Sequence, residues 1–404
     1  MANSSEPGGT APTVHPPPRR VQPEGATADA TPEVVLTPPS PRQGGTRESD
    51  QAAQAEGSVL SARSGWADER HVRPAPIRTP ALVLPQQCDR LTAEIGQVAT
   101  GQALLLHGGP GAQTSDDVSG YRFTRELALV LGHAACLPVV TVGRVVTAGP
   151  DTRRRYRNSA RYLDALRALV SDPATADAAR ESLDRRLATT PAAARHADVV
   201  ALVRSRLAGP HPGPPDLFVS HETVPLDYEF ALTRTDPRTG RRFGTSGHLL
   251  WVGDRSRAHV DFLAGIDNPV AVALGPGATA RDAAGLARRL NPDRVPGRLT
   301  FITRLGAGQV RGVLPRLLDA VTDTGVPVGW VCDPLHGNTF TATTGDLDDV
   351  VAEVLAFHDA HRAAGTHAGG LHVDLVDDVS TDGPRLNRDQ ALELALRTAE
   401  RCAR

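Results

Sequence analysis

The chain has 404 residues, 40% of them hydrophobic, so it can bury a sizeable core in one large domain or two ordinary ones. Its formal net charge of −2 removes the electrostatic argument for a nucleic-acid or anionic-membrane partner and favours a small molecule. All 44 basic residues are arginine, so no lysine is available to form a Schiff base or to bind a phosphate.

Residues 1–70 are rich in Pro, Gly, Ser, Thr and Ala and show no hydrophobic period, which predicts a disordered tail. No signal-peptide pattern and no run of 18 apolar residues occurs, and the 4 cysteines are widely separated without a CxxC motif. We therefore expect a cytoplasmic protein with free thiols.

Residues 71–102 form a predicted N-terminal extension, with a helix from about Gln86 to Val98, and residues 103–404 form the main domain. Eight apolar runs in this domain have the composition of buried strands. They are Ala103–Gly108, Leu137–Arg144, Asp216–Glu222, His248–Asp254, Val270–Gly275, Leu299–Arg304, Val328–Asp333 and Leu371–Val376.

Helical patterns separate these strands, and the long connection after the second strand, residues 145–215, holds several helices. The patterns cover Gly120–Leu131, Tyr156–Val170, Ala174–Leu187, Ala193–Leu207, Arg257–Ala264, Ala280–Leu290, Val310–Thr322, Leu347–Ala364 and Arg388–Arg401. Eight strands alternating with helices predict an α/β fold, a closed (β/α)8 TIM barrel. An open doubly wound sheet is the alternative, disfavoured because Gly108-Gly109-Pro110-Gly111 lacks the GxGxxG spacing.

The carboxyl ends of barrel strands meet at one mouth, so the charged residues that end these runs should lie together. Arg144, Arg255 and Arg304 end or follow three of them, and a planar guanidinium suits phosphate or carboxylate oxygens. We therefore expect an anionic small-molecule substrate. For any one of these arginines, a salt bridge to a neighbouring acid is the alternative.

Acids and histidines occur at the same ends. His336 and Asp374 are of types that ligate a divalent metal, and His372 lies two residues before Asp374 on the same strand face. His372 could be a third ligand or a packed group beside the ligands. Asp254 and Glu222 also end strands; we expect Asp254 to be a catalytic or cation-binding group and Glu222 to contact substrate.

From about Pro80 onwards, the chain carries a series of motifs in a specific order and spacing. They are Leu104-Leu105-Leu106-His107-Gly108-Gly109, Pro138-Val139-Val140-Thr141-Val142-Gly143-Arg144, Ser220-His221-Glu222, Leu250-Trp251-Val252-Gly253-Asp254-Arg255-Ser256-Arg257, Asp333-Pro334-Leu335-His336-Gly337-Asn338-Thr339, Gly369-Gly370-Leu371-His372-Val373 and Pro384-Arg385-Leu386-Asn387. In these motifs the chain resembles the class II (plant-type) 3-deoxy-heptulosonate 7-phosphate (DAHP) synthases. The resemblance implies a (β/α)8 barrel, and an enzyme that joins phosphoenolpyruvate to erythrose 4-phosphate with a divalent metal held by Cys, His, Glu and Asp.

The resemblance also indicates an altered metal site. The family's cysteine ligand falls on Gly111, its histidine on His336 and its glutamate on Asp374, which is shorter by one methylene. The family's aspartate falls on Gly383, with Asp382 one position earlier as a tentative replacement. Mn, Mg or Co therefore remains a candidate cofactor, held by His336, Asp374 and Asp382.

The chain keeps some of the substrate contacts that the resemblance implies and lacks one. Arg144, Arg255 and Arg304 match arginines that bind phosphoenolpyruvate in the family, and Arg385 lies in a matching motif, but a family lysine falls on Ala273. We expect a diverged enzyme of specialised metabolism with lyase or transferase chemistry on a phosphorylated, diphosphate or enol-carboxylate substrate. The alternatives are a non-catalytic scaffold or regulatory homologue and, below it, a DAHP synthase with rearranged ligands. The family further implies a homo-oligomer.

Overall fold

The computed structural model describes residues 79–110, 118–145, 149, 151–209, 216–223, 225–253, 257–338, 346–375 and 384–402. All of them belong to one compact unit, His71–Arg404. The predicted tail, residues 1–70, lies outside the described residues.

The strands of this unit are short and mostly buried. They are β1 (Leu104–Pro110), β2 (Val139–Arg144), β3 (Phe218–Glu222), β4 (Thr233–Thr235), β5 (Arg242–Gly244), β6 (Leu249–Val252), β7 (Val270–Leu274), β8 (Leu299–Thr303), β9 (Gly329–Cys332) and β10 (Gly370–Leu375). Eight of them pair in parallel and close into a barrel in the order β1-β10-β9-β8-β7-β6-β3-β2. This confirms the (β/α)8 TIM barrel, and each predicted strand is present with its bounds shifted by at most two residues.

Helices connect the strands. They are α1 (Pro85–Ala99), α2 (Ser119–Ala135), α3 (Thr152–Ser171), α4 (Pro173–Thr189), α5 (Pro191–Arg195), α6 (Ala197–Leu207), α7 (Leu226–Leu232), α8 (Arg257–Ala264), α9 (Ala280–Leu290), α10 (Val310–Thr322), α11 (Pro334–Gly337), α12 (Leu347–Ala364) and α13 (Arg388–Cys402). The predicted bounds of α8, α9, α10 and α12 are correct. The predicted helix Ala193–Leu207 is instead two helices, which meet at His196.

Close packing of β1 against β10 depends on glycine. A Cβ atom added at Gly108 would lie 1.9 Å from the carbonyl oxygen of Val373, and one at Gly370 would lie 2.0 Å from that of Leu105. Both glycines therefore allow a backbone approach that no other residue permits. The register places Gly109 opposite Asp374, at the carboxyl ends of the two strands.

The barrel interior is an apolar cluster that continues into α1. Leu91, Ile95 and Val98 of this helix pack in the same cluster as inward-facing strand residues such as Leu249 and Ile302. The helix therefore closes the amino-terminal end of the barrel, which leaves the carboxyl-terminal end as the open mouth.

Three elements were not predicted: the β4–β5 hairpin, α7 and α11. Two of them, the β4–β5 hairpin and α11, are marked by a short sequence motif. Asp236 begins an Asp-Pro-x-x-Gly turn between β4 and β5, in which Gly240 has a φ of +71°. Asp333 accepts a hydrogen bond from the backbone N–H of His336 and precedes Pro334, so it caps α11.

Two further expectations concern cysteines and membranes. Cys88, Cys136 and Cys332 are free thiols, as predicted, and Cys402 lies where side chains are not described. None of the helices in the described residues combines the length and hydropathy that crossing a membrane requires.

Candidate active site at the barrel mouth

Arg144 and Asp374 form an ion pair at the mouth. Arg144 ends β2 and Asp374 lies near the end of β10, and Nη1 of the arginine donates a hydrogen bond to Oδ2 of the aspartate. Burial disfavours the guanidinium charge, but Asp374, with Glu222 and Asp333 adding to it, raises the pKa of Arg144. The second oxygen of Asp374, Oδ1, is buried and has no hydrogen-bond partner among the described residues.

Asp333 is the centre of a second charged group. It follows β9 and its side chain is 0% exposed; Oδ2 accepts a hydrogen bond from Nε of Arg304 at 2.7 Å. Nδ1 of His336, on α11, lies 2.9 Å from the same oxygen. Burial alone would raise the pKa of Asp333, but its contacts with His372, His336 and Arg304 hold it well below the usual range. Asp333 is therefore an anion that fixes Arg304 and His336 together.

Trp251 connects the two charged groups. The Cζ atoms of Arg144 and Arg304 lie 5.5 and 5.3 Å from the centroid of its ring. These are cation–π distances, so the buried indole of β6 attracts both guanidinium groups. The structure thus brings together two of the three predicted arginines. Trp251 was not singled out from the sequence, although it lies on an inward-facing position two residues before Gly253.

Two buried histidines, His107 and His372, pack against the ring of Trp251. Oγ of Ser220 lies 2.6 Å from Nε2 of His107 and 3.2 Å from the carbonyl oxygen of Gly143. Nδ1 of His107 lies 2.9 Å from Nδ1 of His372, so one of these rings donates a hydrogen bond to the other. Burial lowers the pKa of His107 to about 3 and that of His372 well below its usual value, so both rings stay neutral. His372 is a buried neighbour of Asp333, with its Nε2 3.8 Å from Oδ2.

Glu222 and His221 point in opposite directions, as alternation along β3 requires. Oε1 of Glu222 accepts a hydrogen bond from the backbone N–H of Gly253 at 3.0 Å, at the mouth. The ring of His221 instead bonds Glu229 at 2.6 Å in a buried pair. His221 therefore belongs to the packing outside the barrel.

The remaining predicted residues lie at the edges of the described chain. Asp254, Arg255 and Asp382 fall outside the described residues. Arg385 is half-buried, and its neighbour Leu386 donates a backbone hydrogen bond to the carbonyl of Asp374 at 2.9 Å. The segment that carries Arg385 therefore lies beside the mouth, and within the described chain no carboxylate lies at ion-pair distance from Arg385.

A divalent metal would find two protein donors here. His336 directs Nδ1 at Asp333, which leaves Nε2 for a metal, and Asp374 has the unpartnered Oδ1. No group of three His, Cys, Asp or Glu side chains that could hold a metal occurs in the part of the chain that is described. Protein metal sites normally use three or four ligands, so these two donors alone do not fit a resident metal.

Comparison with known proteins identifies the family to which this chain is similar. The model of the class-II DAHP synthetase family matches residues 60–150 and 150–383. A phospho-2-dehydro-3-deoxyheptonate aldolase of Streptomyces coelicolor is 36% identical over 405 residues, which cover 80% of this chain and 90% of that protein.

Two further relatives agree. The phospho-2-dehydro-3-deoxyheptonate aldolase AroG of Mycolicibacterium smegmatis is 32% identical over 405 residues, covering 80% of this chain and 87% of that protein. A chloroplastic relative from Catharanthus roseus is 42% identical over 204 residues, covering 46% of this chain and 41% of that protein.

Proposed function

Because the chain belongs to the class-II DAHP synthetase family, an enzyme family, we propose that it catalyses a DAHP-synthase-like reaction on an anionic substrate bound between Arg144 and Arg304. The substrate class is a phosphorylated or enol-carboxylate compound, such as phosphoenolpyruvate. The reaction type is formation of a carbon–carbon bond or a related lyase or transferase step.

One observation carries this proposal: two guanidinium groups converge on the ring of Trp251. Arg144 and Arg304 have side chains 21% and 18% exposed, so they are held in the protein yet reachable from the mouth. Nη2 of Arg304 is buried and has no partner among the described residues. A buried N–H group without an acceptor costs about 1–3 kcal/mol, and the oxygen of a bound anion would offset that cost.

The other charged groups suggest how the reaction proceeds. When the enol carbon of phosphoenolpyruvate attacks an aldehyde carbon, the C=C electrons form the new bond, the aldehyde oxygen takes up a proton, and water adds to the second carbon as phosphate leaves. His336 is 32% exposed, and its Nε2 can take up and release a proton because Nδ1–H is directed at Asp333. Asp333 stabilises the protonated ring, while Asp374 holds Arg144 in place.

The relatives' metal chemistry is a separate question for this chain. Class-II DAHP synthases typically depend on a divalent metal, which would polarise the aldehyde oxygen. His336 and Asp374 would be the two contacts here for Mn, Mg or Co, and Asp382, predicted as the third, lies outside the described residues. Because Gly111 replaces the family's cysteine, no step of the proposed reaction is assigned to the metal.

A second candidate function is a non-catalytic homologue that binds a ligand or a protein partner. It is favoured by Gly111 and Gly383, which stand where the family has ligands and cannot replace them. The same substitutions support a specialised reaction distinct from that of the relatives. Synthesis of the heptulosonate phosphate itself, with rearranged ligands, is the third candidate.

Calorimetric titration separates these candidates. Purified protein is titrated with phosphoenolpyruvate, pyrophosphate and erythrose 4-phosphate, with and without Mn²⁺, and product formation is followed in parallel. We expect phosphoenolpyruvate to bind and Arg304→Ala to weaken binding by at least about tenfold. Arg195→Ala is the matched control, since Arg195 is 60% exposed and pairs with Glu393 on the surface.

The outcomes differ clearly. Rapid formation of the heptulosonate phosphate would establish the third candidate and remove the specialised reaction. If none of the phosphorylated ligands binds, and Arg304→Ala behaves like Arg195→Ala, the non-catalytic function stands.

A further inference from the structure

Two loops at the mouth touch each other through glycine. The loop after β8 carries Arg304 and Gly306, and α11 carries His336 and Gly337. A Cβ atom added at Gly337 would lie 2.4 Å from the backbone nitrogen of Gly306, whose φ is +79°. Only glycine permits this approach, so the two loops are built to lie in direct backbone contact.

A buried carboxylate from a third element bonds both loops. Glu353 lies on α12 and is 0% exposed. Its Oε1 accepts a hydrogen bond from the backbone N–H of Leu305 at 2.9 Å, and its Oε2 accepts one from Nδ2 of Asn338 at 2.8 Å. Leu305 follows Arg304 directly, and Asn338 is two residues after His336.

Asn338 also links the two loops, and its own hydrogen bonds determine which of its side-chain atoms faces Glu353. Its Oδ1 accepts from the backbone N–H of Ala307 at 2.9 Å, and its Nδ2 also donates to the carbonyl of Pro334 at 2.8 Å. Rotating the amide by 180° would break both bonds, so Nδ2 must face Glu353. Both oxygens of Glu353 are therefore required as acceptors, which a carboxylate supplies and an amide does not.

We propose that Glu353, acting with Asn338, is a positioning residue that fixes Arg304 relative to His336 for the bound anion. This inference rests on the proposed function, because it assigns Glu353 to the same mouth. Glu353 touches neither substrate nor the reacting atoms; it acts through Leu305 and Asn338.

The chemistry of the position supports this role. Burying a carboxylate is costly, and a packing role would be met by an apolar side chain. Burial raises the pKa of Glu353 to about 7, against the hydrogen bonds from Leu305 and Gly306 and with the nearby charge of Asp333. Displacing a binding or catalytic group by about 1 Å can cost about a hundredfold in rate. Accurate placement of Arg304 and His336 would therefore offset the cost of burying the Glu353 carboxylate.

Three variants test the inference. Glu353→Gln keeps the shape but places an amide donor against Asn338 Nδ2 or against the N–H of Leu305, whichever way it turns. Asn338→Ala removes the same connection from a less buried position and guards against a Glu353 variant that fails to fold. The double variant Asn338→Asp with Glu353→Gln restores a donor opposite an acceptor. His361→Gln is the control, a buried change in α12 at a hydrogen bond to Thr366.

Affinity for phosphoenolpyruvate is the first measurement. We expect Glu353→Gln and Asn338→Ala to weaken binding by about tenfold, the double variant to recover part of the loss, and His361→Gln to bind like the unaltered protein. If Arg304→Ala weakens binding while Glu353→Gln and Asn338→Ala do not, the proposed function stands and the positioning role falls.

Amide hydrogen exchange on the ligand-free protein is the second measurement, and it does not need a ligand. We expect Glu353→Gln to speed exchange in residues 304–309 and 334–338 together, and His361→Gln to leave both segments protected. Unchanged protection of both segments would overturn the inference even if no phosphorylated ligand binds.

Discussion

Nε of Arg304 donates a hydrogen bond to Oδ2 of Asp333 over 2.7 Å, and the carboxylate that accepts it is 0% exposed. Asp333 thereby holds in one place Arg304, which is proposed to bind the anion, and His336, which is proposed to move the proton. The ion pair stabilises the mouth only while both partners keep their charge.

Asp333→Asn should lower stability strongly, because it leaves Arg304 without its buried counter-charge. We expect the free energy of unfolding in urea to fall by about 3–5 kcal/mol. Asp184→Asn is the matched control, since Asp184 pairs with Arg204 where both side chains are about half exposed; it should cost less than about 1 kcal/mol. Equal losses in the two variants would contradict the central role of Asp333.

Trp251→Leu should weaken binding of the anion, because both guanidinium groups lose the ring they lie against. Each cation–π contact contributes about 0.5–2 kcal/mol, so we expect phosphoenolpyruvate affinity to fall by about tenfold. Trp330→Leu is the control, since Trp330 packs on Phe301 and His361 away from the arginines. Calorimetry should show a loss of affinity in the first variant alone.

Glu353 should make stability depend on pH in a defined window. Burial raises its folded pKa to about 7 from 4.5, because desolvation penalises the carboxylate by more than the hydrogen bonds to it recover. Ionising Glu353 therefore costs stability: the full stability is present below pH 4.5, and on the order of 3 kcal/mol is lost as the pH rises through about 7. Glu353→Gln cannot ionise and should lack this loss.

The measurement is urea unfolding of both proteins from pH 4.5 to 8. Asp333, whose pKa is held low, and the Cys332 thiol, whose pKa is raised by burial, keep their charge states over this window. The difference in unfolding free energy between the two proteins should therefore change with pH, and parallel curves would refute the assignment.

Gly108→Ala should destabilise the barrel, because the added methyl group would lie 1.9 Å from the carbonyl oxygen of Val373. Forcing β1 away from β10 should cost about 3 kcal/mol or more. Gly312→Ala is the opposite case: Gly312 lies in α10 with no atom within 4 Å of the added Cβ, so alanine should stabilise by about 0.5–1 kcal/mol. Thermal unfolding of the two variants should therefore shift in opposite directions.

Removing divalent metal should have little effect on stability, since His336 and Asp374 supply only two donors. We expect the unfolding midpoint in EDTA and in millimolar Mn²⁺ to agree within about 2 °C, and His336→Ala not to change that difference. A Mn²⁺-dependent rise that His336→Ala abolishes would show that another segment, such as the one bearing Asp382, completes the site.

The sequence by itself determined the barrel. Eight apolar runs, each bounded by turn residues, alternate with amphipathic helices, which predicts a parallel sheet buried on both faces, and the lack of a GxGxxG motif favours the closed barrel over an open sheet. Short elements escaped prediction because α11 and the β4–β5 hairpin are too brief for a hydrophobic period to show. Their signals were the local ones at Asp333-Pro334 and Asp236-Pro237.

Only the tertiary structure decided which side chains act together at the mouth. Strand ends indicated that Arg144, Arg304, His336 and Asp374 converge, but not that Arg144 pairs with Asp374 or that Asp333 holds both Arg304 and His336. Trp251 and Glu353 resemble ordinary core residues in the sequence. Their contacts join residues far apart along the chain, and such contacts depend on the register of the closed sheet and on helix packing, which a local pattern does not encode.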